Sequence, residues 1–319
     1  MMKSKKAIVT GGAGFLGSHL VDRLLSDGYY VKVIDNLSTS TDQYMRPLMD
    51  NESFEFIKMD ILELDRLKKE FVGFDVVFHF AANADIRRGL EDTWRDIEQN
   101  TIATYNILEA MRVTGIKKIL FASSAAVYGE PSVFPTPEDV PLIQTSFYGA
   151  SKAAGEALIQ AFCEGFGFTS WIYRFVSVVG ERHPHGVTFD FFHKLQKDPT
   201  RLEIIGDGTQ RKSYMYIGDC LDGIMLGFDK GNEKVNIFNL GWENYINVTK
   251  VADIITGELG LKDVKYEYTG GSRGWVGDSP LVHLSIEKIK NLGWQPKVSC
   301  EEGIRRTVRW LEKNKKMLR

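Results

Sequence analysis

The sequence predicts a doubly wound parallel α/β sheet carrying a smaller α+β lobe, and three observations lead there. Short apolar runs alternate with helix-length amphipathic segments through the first half of the chain. A glycine cluster, Gly11-Gly12-Ala13-Gly14-Phe15-Leu16-Gly17, lies between the first apolar run and the first such helix. After about Val176 the segments become irregular, with Gly206-Asp207-Gly208, Gly270-Gly271 and Gly274 marking turns. The expected division is residues 1–175 for the first domain and 176–319 for the second, with a later chain crossing near 212–240.

Taken in order, Lys6 to Thr10 (KAIVT) reads as a buried parallel strand. Leu16, Leu20, Val21, Leu24 and Leu25 then share one helical face, and Gly28 supplies a stop. Tyr30 to Ile34 is the second strand and delivers Asp35. Phe54 to Lys58 precedes Asp60-Ile61, and Asp75 to Phe80 precedes Ala81-Ala82-Asn83. A helical stretch from about Thr93 to Val113 leads to the strand Lys117 to Ala122. A helix from Tyr148 to about Phe166 is followed by the strand Ser170 to Phe175. The last helix, near Glu301 to Lys313, puts Ile304, Val308 and Leu311 on one face. Right-handed crossovers align Gly11, Asp35, Asp60, Ala81 and Ser123-Ser124 along one sheet edge, where such folds bind ligands.

The glycine spacing fits both GxGxxG (Gly12, Gly14, Gly17) and the wider GxxGxxG (Gly11, Gly14, Gly17). Either presents backbone N–H groups at a helix N-terminus, where the dipole favours a pyrophosphate. Strand, glycine turn and helix together make a Rossmann dinucleotide fingerprint. Asp35 stands about twenty residues on, where an acid accepts from the adenosine ribose hydroxyls and repels a 2′-phosphate. NAD is therefore expected rather than NADP.

Tyr148-Gly149-Ala150-Ser151-Lys152 lies far downstream of that loop. A phenol titrates near pH ~10 and is a weak base at neutrality. A Lys one helical turn on shares the face of the Tyr, and its positive charge is expected to lower the phenol pKa. This pairs a cofactor site with a proton-transfer group.

Composition excludes several classes. With 319 residues and a net charge of −2 there is ample core and no basic footprint for nucleic acid or an anionic membrane. MMKSKK runs directly into the first strand without a signal-type apolar stretch, and no run approaches the ~20 residues that span a bilayer. Cys163, Cys220 and Cys300 are widely spaced, and His183-Pro184-His185 reads as a loop, so neither disulfide nor metal is expected. A cytoplasmic protein follows.

Across nearly its whole length the chain resembles the extended short-chain dehydrogenases/reductases, in particular the NAD-dependent nucleotide-sugar epimerase/dehydratase group. The motifs are TGGAGFLGSHL at Thr10 to Leu20, DNLS at Asp35 to Ser38, DI at Asp60-Ile61 and HFAAN at His79 to Asn83. SSAAVYG at Ser123 to Gly129, YGASK at Tyr148 to Lys152, GDGTQRKSYMYIGD at Gly206 to Asp219 and RGWVGDSP at Arg273 to Pro280 complete the set. The resemblance implies that Ser124 hydrogen-bonds the sugar hydroxyl being oxidised, Tyr148 is the base, and Lys152 holds the nicotinamide ribose. It assigns Gly11, Gly14, Phe15, Leu16, Asp35, Asn36, Ser38, Asp60, Ile61, Phe80, Ala81, Ala82 and Asn100 to the dinucleotide, along with Tyr148 and Lys152. On the nucleotide-sugar side it assigns Ser177, Lys212, Arg273, Asp278 and Val282 besides Ser124. It also implies a homodimer through the helices near Asn100 and Tyr148.

The chain departs from the family pattern at four points. Lys212 stands where Arg is usual, keeping the charge but losing the bidentate fork. Ser177 replaces a common Asn, and Glu181 a usual Pro. Where resembling dehydratases carry an Asp-Glu pair directly after the catalytic Ser/Thr, this chain has Ala125-Ala126. Elimination of water needs an acid for the leaving hydroxyl, and decarboxylating relatives need a Glu at the second position. C4 epimerisation of a nucleotide sugar of the UDP-glucose/UDP-galactose type is the expectation that remains. A net 4-dehydrogenase releasing a keto sugar and a non-catalytic NAD-binding sensor are the alternatives. In resembling epimerases a position a few residues past the Asp matched by Asp278 walls the sugar C2 substituent. Counting through Pro280 selects Val282, with Leu281 or His283 selected if the register slips.

Overall fold

A computed structural model describes residues 5–315 of the chain. The elements run β1 (Lys6–Thr10), α1 (Phe15–Ser26), β2 (Tyr30–Asp35), β3 (Phe54–Lys58), α2 (Leu64–Glu70) and β4 (Val76–His79). Next come α3 (Thr93–Asp96), a π-helical segment at Ile97–Ile102, α4 (Ala103–Thr114), β5 (Lys118–Ser124), α5 (Phe147–Phe166) and β6 (Thr169–Phe175). The remainder comprises β7 (Ser177–Val179), α6 (Val187–Lys197), β8 (Arg201–Ile204), β9 (Arg211–Lys212), β10 (Tyr214–Tyr216), α7 (Ile217–Lys230) and β11 (Val235–Leu240). It ends with β12 (Ile246–Asn247), α8 (Val248–Glu258), β13 (Lys265–Tyr268), β14 (Leu281–Val282), α9 (Glu287–Lys290) and α10 (Cys300–Lys313).

Seven strands form one sheet in the order β11-β6-β5-β4-β1-β2-β3. The β1–β2, β1–β4, β2–β3 and β4–β5 pairs are parallel. Strands buried on both faces need apolar side chains in succession, and Ile8, Ile34, Val77, Ile119 and Ile172 sit in one core with Leu108, Met111, Ile159 and Phe162 of the helices. The chain leaves β1 in one direction to β2 and β3, then returns to β4 on the other side of β1. That reversal opens a crevice beyond the carboxyl ends of β1 and β4, which is where an open α/β sheet takes its ligand.

The chain divides into two compact units. One holds residues 1–127, 146–173 and 228–237; the other holds 128–145, 174–227 and 238–319. The second unit has its own core, with Phe191, Phe192, Leu202, Ile255, Ile304 and Val308 among its members. Its α10 starts at the cap residue Ser299, whose Oγ accepts from Glu302 N at 3.2 Å.

The stretch from Thr93 is helical as the sequence predicts, but not uniformly α. One wide π turn, Ile97–Ile102, is inserted ahead of α4. Such turns displace a side chain from the regular helical face and recur at functional sites. Here the displaced region contains Asn100.

Candidate active site

Gly11 has φ +69°, and a Cβ there would lie 2.6 Å from Ala81 N and 2.8 Å from Phe80 C. A Cβ on Gly17 would lie 2.1 Å from Gly11 O. Backbone therefore passes against backbone where β1, β4 and α1 meet, and side chains are sterically excluded. α1 begins at Phe15 with Gly14 as its cap, without a side-chain cap hydrogen bond and without an acid in its first turn. A helix start without a side-chain cap or an acid suits the pyrophosphate of NAD.

Asp35, at the end of β2, is buried. Its Oδ2 accepts from Ala13 N at 3.0 Å, while Oδ1 accepts from Leu37 N at 2.9 Å and Ser40 Oγ at 3.1 Å. Three of the roughly four acceptor positions of a carboxylate are used. Asn36 Nδ2 donates to Asp60 Oδ2 at 2.8 Å, and Asn36 Oδ1 accepts from Ser38 N at 2.9 Å. Asp60 Oδ1 in turn accepts from Leu62 N at 2.9 Å, and Ile61 is buried beside it. Asp35, Asn36, Ser38, Asp60 and Ile61 thus form one connected rim around the ends of β2 and β3. Phe80, Ala81 and Ala82 continue from β4 toward the glycine loop, with Phe80 N donating to Thr10 O at 3.0 Å.

The reacting groups come from β5 and α5. Ser146 caps α5, its Oγ accepting from Gly149 N at 3.0 Å, which sets Tyr148 in the first turn. Ser124 ends β5 and is hydrogen-bonded to the Tyr148 phenol. Lys152, 2% exposed, donates from Nζ to the Ala122 carbonyl at 2.9 Å and stands 5.9 Å from the Tyr148 ring centre. The expected downward shift of the phenol is absent in the ligand-free protein. Burial pushes Tyr148 up to about 12, against the lowering effect of the Ser124 hydrogen bond. Lys152 is itself pulled down to about 8, chiefly by burial. Desolvation disfavours whichever form is charged, so it moves the acid and the ammonium in opposite directions.

Asn100 holds this pair from the other side. Its Oδ1 accepts from Asn83 N at 2.8 Å, and its Nδ2 donates to Ser151 Oγ at 2.9 Å. Ser151 Oγ donates to the Tyr148 carbonyl at 2.8 Å. Asn83 Nδ2 also donates to Asp96 Oδ1 at 2.7 Å. Beneath the site His79 is buried and neutral, pulled down to about 3 by burial, with Nδ1 2.7 Å from Thr10 Oγ1 and Nε2 3.0 Å from Thr104 Oγ1. Asn83, Ser151, Asp96 and His79 were not predicted as site residues. Asn83 and Ser151 lie inside recognisable motifs, but no local pattern joins them to Asn100.

The second unit carries the remaining predicted residues. Lys212 on β9 forms an ion pair with the buried Asp278, Nζ to Oδ1 at 2.6 Å. Arg273 Nη1 donates to Asp278 O at 3.0 Å, and its guanidinium forks onto Glu130, with Nη2 to Oε2 at 3.0 Å. Val282 on β14 is half-buried and pairs in parallel register with Lys212. Lys212, Arg273, Asp278 and Val282 are therefore brought together. Ser177 is exposed at the start of β7 and pairs with Tyr214 of β10, two residues beyond Lys212. Glu130 was not foreseen; it is 143 residues from the Arg273 it binds.

A family model described as the NAD dependent epimerase/dehydratase family matches residues 7–241. The chain belongs to that family. A UDP-glucose 4-epimerase of Mycolicibacterium smegmatis is 33% identical over 312 residues, covering 95% of this chain and 97% of the relative. A solved UDP-galactose 4-epimerase is 36% identical with a TM-score of 0.87, covering 97% of this chain and 99% of the other. A dTDP-glucose 4,6-dehydratase of Streptomyces venezuelae, solved with NAD bound, is 28% identical with a TM-score of 0.90, covering 98% of each chain. The chain is thus an enzyme of the nucleotide-sugar epimerase/dehydratase kind, and its cofactor is NAD. The glycine cradle, the open start of α1 and the Asp35 rim fit that cofactor. Among the described residues no helix is long and apolar enough to cross a membrane.

Proposed function

We propose that this chain catalyses C4 epimerisation of a nucleotide sugar of the UDP-glucose/UDP-galactose type through a 4-keto sugar. The observation that carries the reading is the pair of methyl side chains directly after Ser124. Ala125 opens a short 3₁₀ turn, Ala125–Tyr128, and Ala126 donates its backbone N–H to Ser124 Oγ at 3.2 Å. Neither position offers an acid to expel a hydroxyl or assist decarboxylation. Likeness to dehydratases extends over fold and sequence, whereas this difference is in the reacting groups.

Bound NAD supplies the hydride acceptor and, when oxidised, a positive charge. Ser124 orients the sugar hydroxyl against Tyr148. The phenol oxygen of Tyr148 takes the hydroxyl proton and later returns it, and Lys152 provides a fixed cation at its back. A phenol held near 12 is protonated at rest, so it becomes a base only when further positive charge arrives. On this reading Gly11, Gly14, Phe15, Leu16, Asp35, Asn36, Ser38, Asp60, Ile61, Phe80, Ala81, Ala82 and Asn100 hold the dinucleotide. Lys212, Arg273, Asp278, Ser177 and Val282 serve the nucleotide sugar.

A homodimer is part of the same reading. Trp94, Ile97, Ile102 and Tyr105 on the α3–α4 stretch, and Phe147 and Phe166 on α5, are all exposed. Large apolar side chains concentrated on helices in this way favour a protein partner.

Incubating the purified protein with UDP-glucose, UDP-galactose and other nucleotide sugars, and following the anomeric protons by NMR, tests the assignment. Interconversion at C4 without added NAD supports epimerisation. Stoichiometric NADH release, or loss of water at C6, rules it out.

A further inference from the structure

Tyr148, Lys152 and Glu156 recur at one-turn intervals along α5, and each meets a different residue near the end of β5. Tyr148 is hydrogen-bonded to Ser124. Lys152 Nζ donates to Ala122 O at 2.9 Å, and Ser123 Oγ donates to Glu156 Oε1 at 2.5 Å. The first two side chains are used by the proposed chemistry; Glu156 is not. It is 1% exposed, and Ser123 is 4% exposed. A carboxylate at that depth is costly unless it is hydrogen-bonded and its charge is matched. The ammonium one helical turn back, 2% exposed, has the same need with the opposite sign.

We propose that Glu156 is a positioning residue: pinned by Ser123, its carboxylate is the built-in counter-charge of Lys152. The roles of Tyr148 and Lys152 in turnover rest on the function proposed above, but the coupling of the two buried charges does not.

The surroundings of Lys152 support this assignment. Burial pulls the ammonium down, and the opposing charges are Glu156 first and Asp96 second. Asp96, at the end of α3, is itself raised by burial and is therefore the weaker counter-ion. The other groups facing Lys152 carry no negative charge at neutral pH. They are the Tyr148 phenol, His79 of β4, held neutral by burial and by Lys152, and the Phe121 ring, 4.9 Å from Nζ. Without the Glu156 charge, Lys152 loses the foremost partner that raises its affinity for a proton, and its ionisation moves to lower pH.

NMR of ligand-free protein carrying ε-¹³C lysine reads this directly, with the Lys152 signal assigned by its loss in Lys152→Met. In Glu156→Gln, which keeps the shape and can still accept from Ser123, the Lys152 midpoint falls by about one unit or more from near 8. An unmoved midpoint overturns the proposal. Where Glu156→Gln does not fold, Glu156→Asp serves in its place: withdrawing the carboxylate by one methylene lowers the Lys152 midpoint, and an unmoved midpoint overturns the proposal. In turnover, the limb of the kcat/KM pH profile that Lys152 sets moves to the acid side in Glu156→Gln. A purely structural role would lower the profile without moving it. If the lysine midpoint shifts while the wild type shows no epimerisation, the charge coupling stands and the proposed reaction falls.

Discussion

The Ala13 amide donates to Asp35 Oδ2 at 3.0 Å, tying the glycine loop to the end of β2 across 22 residues. The acid expected at the cofactor ribose is therefore also a strut of the loop that faces the pyrophosphate. On the proposed binding mode, its charge would act at the ribose and its geometry at the pyrophosphate.

This double duty predicts two effects of Asp35→Ala. The preference for NAD over NADP relaxes, because the negative charge opposing a 2′-phosphate is gone. The protein also loses about 1–3 kcal/mol of stability, because the buried Ala13 N–H is left without its acceptor. Calorimetry with both dinucleotides and urea unfolding read the two effects separately. Equal affinity of the wild type for NADP would contradict the first.

Tyr148→Phe removes the phenol oxygen and keeps the ring. We expect kcat to fall at least ~10²–10⁴-fold, the usual contribution of a positioned acid–base group, with NAD affinity nearly unchanged. Near-normal turnover would sink the mechanism. Lys152→Ala should lower activity and move the ionisation of the phenol upward, since a cation behind it is lost.

His79 gives stability a pH dependence. Its folded pKa, about 3, lies below the unfolded value of 6.5, so the folded state excludes a proton that the unfolded state binds. Stability from this group is present above pH 6.5 and declines as pH falls toward 3, by at most about 1.4 kcal/mol per unit. His79→Gln, which keeps polar ends between Thr10 and Thr104, should flatten that slope in urea midpoints measured from pH 7 to 4.5. An unchanged slope would show that His79 is not the group responsible.

Val282 sits beside the Lys212–Asp278 pair on the adjoining strand, half-buried and small. If it walls the sugar C2 substituent, the wild type turns over both UDP-glucose/galactose and their 2-acetamido counterparts. Val282→Tyr then closes off the acetamido pair by overpacking, at about 1–3 kcal/mol in kcat/KM. A variant that keeps the wild-type ratio between the two substrate pairs would show that the wall lies elsewhere, with Leu281 and His283 next in order.

Much of the fold was legible because its signals are local. KAIVT before the glycine cluster, YVKVI before Asp35 and the i, i+4 spacing of Tyr148 and Lys152 each specify a conformation within a few residues. Backbone sterics and helical periodicity act at that range, so order along the chain suffices. The Ala125-Ala126 pair was legible only through the resemblance, from the acids that resembling dehydratases carry directly after the catalytic Ser/Thr.

Tertiary structure alone decided the rest, because charges and hydrogen bonds act through space and take no account of sequence separation. No pattern joins Ser123 to Glu156 across 33 residues, Lys212 to Asp278 across 66 or Glu130 to Arg273 across 143. Nor does the order of residues state how deeply Tyr148 and Lys152 are buried. The sequence predicts a phenol lowered by its neighbouring lysine; the fold removes water from both groups, and desolvation raises the phenol and lowers the ammonium. Residue identity set which groups could ionise, and packing set which of them do.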